Sequence, residues 1–574
     1  MTRKFNPFEH NYFLGYVSQV FPQFIKVHFP SSVLLNGFTH FGEEYNGGLV
    51  GNFVVIEGDQ FGFLGRITEL SLPESERLSL NEKAFQTNDF HPTGKIEILL
   101  SFDLFEPLKV RKGLTAHPNI GAKVYVSSSI LVQEYMSRFG IKTEAEKVST
   151  YNLGTLVANP QIEVSVNLQS VFGRHCAIVG TTGSGKSYTV SKLIESLSSL
   201  GGIGLLIDAT GEYNDLQYDT ENINIGDGTN VFHYSQLTVD DLFFLFRPSV
   251  RTQAPKLLEA IRSLKMVELN NGNAFNESGQ TVNVVDGIVK KTNSPKRPFD
   301  AFYYRNINRI EDNTASFDIK KLIPQIIEEC VYDNGVNWGG KSDSDASFCV
   351  SLISRINNVI NTPEYNKIFG FHKSKDTNDL TDAINSFIEG SEKQTLRLNF
   401  ENVKFEYQVR EILANSIGRF LLNKARNKDF VSNPLVVFID EAHQFLNKSV
   451  NDEYFDTKSL DAFDSIAKES RKQGLFLSIS TQMPRDIPHG TLSQMGTFIV
   501  HRLINYNDKE AIVNACNSAN RNTLDFLPIL GEGEAILTGV DFPMPIIMKF
   551  HEPSCKPDSK TPNIFTRTKT DKKK

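Results

Sequence analysis

Gly180, Thr181, Thr182, Gly183, Ser184, Gly185, Lys186 and Ser187 form a complete phosphate-binding loop. Each residue type in it has a chemical use. The glycines let the backbone wrap until several N–H groups point at phosphate oxygens. Lys186 can neutralise the β- and γ-phosphates, and Ser187 can ligate Mg²⁺. The flanks are those the motif needs. The apolar residues 176–179 precede it as a buried strand. Val190, Leu193, Ile194, Leu197 and Leu200 follow at helical spacing. That helix would turn the positive end of its dipole toward the anion. Tyr188, next on the helix, joins the candidate nucleotide-binding residues.

A nucleotide site also needs carboxylates at strand ends. Leu435-Val436-Val437-Phe438-Ile439 leads into Asp440-Glu441-Ala442-His443, five apolar residues and then two acids. This reads as a Walker B strand. Asp440 would complete the Mg²⁺ shell, and Glu441 would orient and polarise the attacking water. A second buried strand, 203–208, ends in Asp208-Ala209-Thr210-Gly211-Glu212-Tyr213. Carboxylates in that position lie where ligands collect in an open parallel sheet. Asp208 and Glu212 are therefore candidates for the metal or water shell, an ordinary polar turn being the alternative. Gln482, just past the apolar strand 475–480, could sense the γ-phosphate or be a turn residue.

The elements that must position these groups follow from the pattern. Residues 12–150 read as short strands with glycine punctuation, a small barrel or sandwich with a structural or docking role. Residues 151–232 and 391–550 carry the motifs as a multi-stranded α/β core. Between them, 233–390 turns mostly helical, which accounts for the long separation of Lys186 from Asp440. Within it, 270–315 is rich in Asn, Ser and charge and is expected to be an irregular surface excursion. Trp338 is expected to be a packed loop residue or a partner anchor. Residues 551–574 form a tail ending in Lys572-Lys573-Lys574.

The 574-residue chain has 40% hydrophobic and 22% charged residues, the composition of a globular protein. No apolar run is long enough to span a membrane, and the N-terminus lacks a signal-peptide core. The five cysteines are scattered and without a CxxC pair, which points to a reducing cytosol with neither disulfide framework nor zinc site. A cytoplasmic protein is expected. The formal net charge of −7 gives no global attraction to nucleic acid, although a channel can be locally basic.

Taken together, Phe172-Gly173-Arg174-His175 before the phosphate loop, DATGEY at 208–213, VVFIDEAHQFL at 436–446, SRKQGLFLSISTQMPRDIP at 470–488 and SQMGTFIVHRL at 493–503 resemble the HerA branch of the HerA/FtsK superfamily of P-loop translocases. The likeness runs from about 151 to 550. It implies a RecA-like P-loop NTPase core, an N-terminal β-barrel and a helical insertion. It also implies a homo-hexamer that hydrolyses ATP with Mg²⁺ and threads double-stranded DNA. In that family the pair Asp440 and Glu441 acts with Lys186 and Ser187, Gln482 is the sensor, and Arg471 reaches the neighbouring subunit's nucleotide. Arg174 is a second arginine that would contact phosphate. Lys448 and Arg485, in loops at strand ends, could track DNA phosphates in a pore or be ordinary solvated charges.

The resemblance also implies a partner effector docked on the barrel, a nuclease or a sirtuin-type NADase, in DNA-end processing or antiphage defence. The Asn-, Phe- and Lys-rich composition is mesophilic in character, which favours defence over archaeal repair. The competing function is a nucleotide-gated scaffold that activates its partner with little translocation. A membrane-anchored conjugation coupling protein is disfavoured by the lack of a spanning segment.

Overall fold

The computed structural model describes residues 6–40, 42–74, 90–107, 110–111, 116–141, 149–216, 219–312, 315–372, 377–404, 408–446, 460–516 and 521–558. The chain forms two compact units. One comprises Met1–Ile203, Glu212–Tyr218 and Phe476–Lys574, and the other Gly204–Gly211 and Asp219–Leu475.

The first unit begins with six strands, β1 (Phe13–Val20), β2 (Phe24–His28), β3 (Phe53–Glu57), β4 (Phe61–Ser71), β5 (Thr93–Asp103) and β6 (Lys123–Val126). Neighbours pair antiparallel in the order β2-β1-β6-β3-β4-β5, and β5 pairs back onto β2 through Ile25 and Ile96. This last pairing closes a barrel and leaves no edge among the six, so the barrel alternative holds and the sandwich does not. Alternate apolar residues fill the interior, among them Leu14, Val17, Ile25, Val27, Val54, Ile56 and Ile96. At Gly15 a side chain would collide with the His28 carbonyl, so only glycine allows β1 and β2 to approach there.

The same unit then builds seven sheet strands in the order Glu163–Asn167, Thr150–Leu156, Ile546–Phe550, Glu534–Gly539, Thr497–His501, Cys176–Val179 and Leu475–Thr481. Cys176–Val179 is buried throughout and runs parallel to both neighbours, with Val179 opposite Thr481 on one side and Val500 on the other. This register decides the site. The phosphate loop, Gln482 and the chain after His501 all leave the sheet at one level. Helix Lys186–Ser199 follows and buries Val190, Leu193 and Ile194.

The second unit holds four strands in the order Leu435–Ile439, Ile203–Asp208, Thr395–Asn399 and Thr220–Asn224. Asn399 lies opposite both Asp208 and Asn224 in parallel register. Helices Val239–Phe246, Gln253–Leu269, Leu322–Glu329, Asp343–Asn361, Pro363–Phe369 and Leu380–Gly390 make up the helical segment expected between the motifs. The mixed α/β class, the small barrel and the helical segment are therefore all present.

Residues 270–315 differ from the expected irregular excursion. They fold into hairpins Phe275–Glu277 with Gln280–Val282 and Val284–Val285 with Ile288–Val289, followed by helix Arg297–Ile310. The turns are made by Ser278-Gly279 and Asp286-Gly287, whose φ values are all positive (50°, 77°, 53° and 74°), the conformation that joins short strands tightly. Met266, Val267, Phe275, Val282, Val289 and Ile310 form a buried cluster of their own, with Phe299, Phe302 and Trp338 packed against it. Polar composition hid this small core because each strand contributes only one inward residue. Trp338 stands edge-on to Phe299 at 5.3 Å, and the Lys291 ammonium lies over both rings. It is a packing residue in strand Asn337–Lys341.

Among the described residues no helix is long and apolar enough to cross a membrane. None of the five cysteines forms a disulfide.

Candidate functional site

The phosphate loop is held from both sides by backbone. Gly180 N–H donates to the Thr481 carbonyl at 3.3 Å and Thr181 N–H to the Arg502 carbonyl at 3.0 Å. Gly533 N–H donates to the Ser184 carbonyl at 3.1 Å. Gly183 and Gly185 take φ of 71° and 103°, which only glycine adopts without strain. A Cβ on Gly185 would also come within 2.9 Å of the Gly533 backbone. Lys186 opens the helix with its ammonium folded onto the Thr181 carbonyl at 3.2 Å. Ser187 Oγ donates to Glu212 Oε2 at 2.8 Å, and Thr182 Oγ1 donates to Gln482 Oε1. Tyr188 follows, half-buried. One unit thus brings together the whole loop, the acid of the 208–213 motif and the glutamine.

Arg174 turns aside from this cluster. Its Nε donates to Asp541 Oδ2 at 2.8 Å, in a pair with a largely buried carboxylate. His501 is an addition that sequence reasoning left without a role. It is fully buried, with Nε2 3.0 Å from Thr189 Oγ1 and Nδ1 2.9 Å from the Glu534 carbonyl. Burial, together with the nearby Lys186 charge, lowers its pKa from 6.5 to about 4, so the ring is neutral. A histidine ending a buried strand was the one visible signal.

In the second unit Asp208 is fully buried at the end of its strand. Oδ2 accepts from Arg397 Nε at 2.8 Å and Nη2 at 2.6 Å, and Oδ1 accepts from the Thr210 and Gly211 N–H groups at 3.2 and 2.8 Å. A carboxylate has about four acceptor directions. Asp208 uses them within the protein, which leaves it no free direction for the metal-ligand role expected of it. Asp440 and Glu441 end their strand buried, Asp440 N–H donating to the Ile207 carbonyl at 3.1 Å. Glu441 holds φ 46°, uncommon for a residue with a side chain and of the kind concentrated at functional sites. His443 Nδ1 lies 3.2 Å from Glu441 Oε2. Arg471 is exposed in the short helix Ser470–Gln473, which Gly474 terminates in the left-handed conformation.

The two candidate pore cations fare differently. Lys448 lies outside the described residues. Arg485 sits between Asp486 and Asp508, at 3.7 and 3.8 Å, so its charge is balanced locally.

Chemically, the loop is an anion cradle at a helix N-terminus with a lysine inside it. The hydroxyl of Ser187, held by one carboxylate, suits Mg²⁺, which keeps several waters and takes one or two carboxylates together with substrate phosphates. No group of three or more His, Cys, Asp or Glu among the described residues could form an all-protein metal cage.

Comparison with known proteins finds two matching family models and several relatives. The family model for the HerA helicase central domain matches residues 151–357, and the model for the HerA-like C-terminal region matches 427–559. The DNA double-strand break repair helicase HerA of Pyrococcus furiosus is 21% identical over 75% of this chain and 73% of its own length. The probable helicase MJ1565 of Methanocaldococcus jannaschii is 23% identical over 87% of this chain and 86% of its own length. Among solved structures, VirB4 of Thermoanaerobacter pseudethanolicus is similar at a TM-score of 0.44 and 14% identity, covering 71% of this chain and 97% of that one.

Proposed function

The chain belongs to the HerA family of P-loop ATPases, and on that premise we propose a homo-hexameric ring that couples ATP hydrolysis to movement along double-stranded DNA. The observation that carries the reading is the complete phosphate loop with Gln482 on Thr182 and Glu212 on Ser187. The loop and Lys186 bind the phosphates. Ser187, oriented by Glu212, would hold Mg²⁺, which when bound would supply neutralising charge for the β- and γ-phosphates, and Asp440 keeps the Mg²⁺ role that its Walker B position implies. Glu441 polarises the attacking water. Gln482 registers the γ-phosphate through its bond to Thr182, so loss of phosphate is felt at the end of strand Leu475–Thr481. Arg471, exposed at a helix end, serves the neighbouring subunit's nucleotide, where an arginine stabilises charge developing on the transferred phosphoryl group.

The Pyrococcus furiosus relative carries the name DNA double-strand break repair helicase, which supports duplex DNA as the track. The closed barrel of residues 13–126 offers a docking module for a partner effector, a nuclease or a sirtuin-type NADase, in DNA-end processing or antiphage defence in the cytoplasm. The test is ATP turnover by the full-length protein with and without linear duplex, alongside Lys186→Ala and Glu441→Ala. Duplex-stimulated turnover lost in both variants is the expected result. Turnover indifferent to duplex would favour a nucleotide-gated scaffold.

A further inference from the structure

His501 lies beneath the phosphate loop. It is the last residue of strand Thr497–His501, whose Val500 is the register partner of Val179. A carbonyl oxygen can only accept, so the contact with Glu534 O assigns the ring hydrogen to Nδ1. Nε2 must then accept the Thr189 hydroxyl hydrogen. The ring thereby ties the first turn of helix Lys186–Ser199 to strand Glu534–Gly539.

The surrounding contacts show that the loop rests on this residue. A Cβ on Gly180 would come 2.6 Å from His501 Cβ. The Thr181 N–H and hydroxyl both donate to the carbonyl of Arg502, the next residue, at 3.0 and 3.2 Å. Gly533 N–H, one residue before Glu534, holds the Ser184 carbonyl. The loop is thus gripped at 181, 184 and 189 by the chain on either side of the imidazole.

We propose that His501 is a positioning residue for the nucleotide site. Through Thr189 it fixes the depth of the phosphate loop and the first helical turn, so that Lys186 and Ser187 meet the phosphates. This rests on reading the loop as an ATP site. The imidazole acts through its hydrogen bonds rather than its volume, because both nitrogens are engaged, Nδ1 with the Glu534 carbonyl and Nε2 with the Thr189 hydroxyl.

The experiment is a titration of full-length protein with a fluorescent ATP analogue, mant-ATP, in the presence of Mg²⁺. It compares wild type, Thr189→Val, His501→Asn and the double variant, with melting temperatures measured in parallel. Asn keeps an N–H near the Nδ1 position and cannot reach Thr189. His501→Gln, whose longer amide reaches Thr189, serves as the rescue. Each single variant should weaken binding about tenfold, the double variant should be no weaker than either single, and Gln should recover most of the loss. Wild-type affinity in Thr189→Val overturns the inference, as do losses that multiply in the double variant. If His501→Asn fails to fold, Thr189→Val decides alone. A wild-type protein that does not bind mant-ATP would overturn the nucleotide reading and this inference with it, whereas normal wild-type binding with unaffected variants overturns this inference alone.

Discussion

Arg397 sets two guanidinium nitrogens on one oxygen of the Asp208 carboxylate, at 2.8 and 2.6 Å, and neither residue is more than 1% exposed. The second oxygen is taken by backbone N–H groups of Thr210 and Gly211. The first acid of the 208–213 motif is thus a structural anchor for the turn that begins there. Glu212, the other acid of the motif, bonds Ser187 of the phosphate loop instead.

Removing the cation should expose this anchor as structural. Arg397→Ala leaves a buried carboxylate without its counterion, a loss of about 3–5 kcal/mol. Calorimetry should show a large fall in melting temperature. A wild-type melting temperature would contradict the assignment.

Glu212 behaves oppositely. It bonds Ser187 at 2.8 Å within the loop's own unit. Glu212→Gln should leave melting unchanged and raise the Mg²⁺ concentration needed for half-maximal mant-ATP binding about tenfold, since it removes a charge from the metal's surroundings. An unchanged Mg²⁺ requirement would place Glu212 outside the metal shell.

Arg471 is expected to act on turnover and not on binding. Arg471→Ala should lower the ATP hydrolysis rate by about 10³ or more with nucleotide affinity nearly unchanged. Mixed with wild type, it should inhibit more than its mole fraction, because it disables a neighbour's site. Normal turnover in the variant would remove Arg471 from the site.

Acid should weaken the fold through His501. Its folded pKa of about 4 lies below the ordinary 6.5, so between these values the unfolded chain takes up a proton that the folded chain refuses. The contribution to stability is complete above about pH 6.5 and is lost as pH falls toward 4, by roughly 3 kcal/mol. Melting curves from pH 7.5 to 4.5 should fall less steeply for His501→Asn than for wild type. Parallel curves would contradict the buried neutral imidazole.

What could be read from the chain was local. The phosphate loop declared itself because strand, glycine turn and helix are contiguous, and the acids 440–441 because an apolar strand runs straight into them. Strand spacing alone left barrel and sandwich open, because closure depends on β2 meeting β5, far apart in sequence, and only the family resemblance pointed to the barrel. The partner of Asp208 is 189 residues downstream, and no spacing rule announces it. The folded lobe at 270–315 did carry a signal, Ser278-Gly279 and Asp286-Gly287 between apolar residues, but strands of two or three residues are too short to show a period. His501 looked like any core histidine until its two bonds were in view.

The most direct measurement is steady-state ATP hydrolysis by the full-length wild-type protein with Mg²⁺, with and without linear duplex DNA. Hydrolysis that rises with duplex and disappears in Lys186→Ala is the predicted result. No hydrolysis, or a rate that ignores duplex DNA, would contradict a DNA-translocating ATPase.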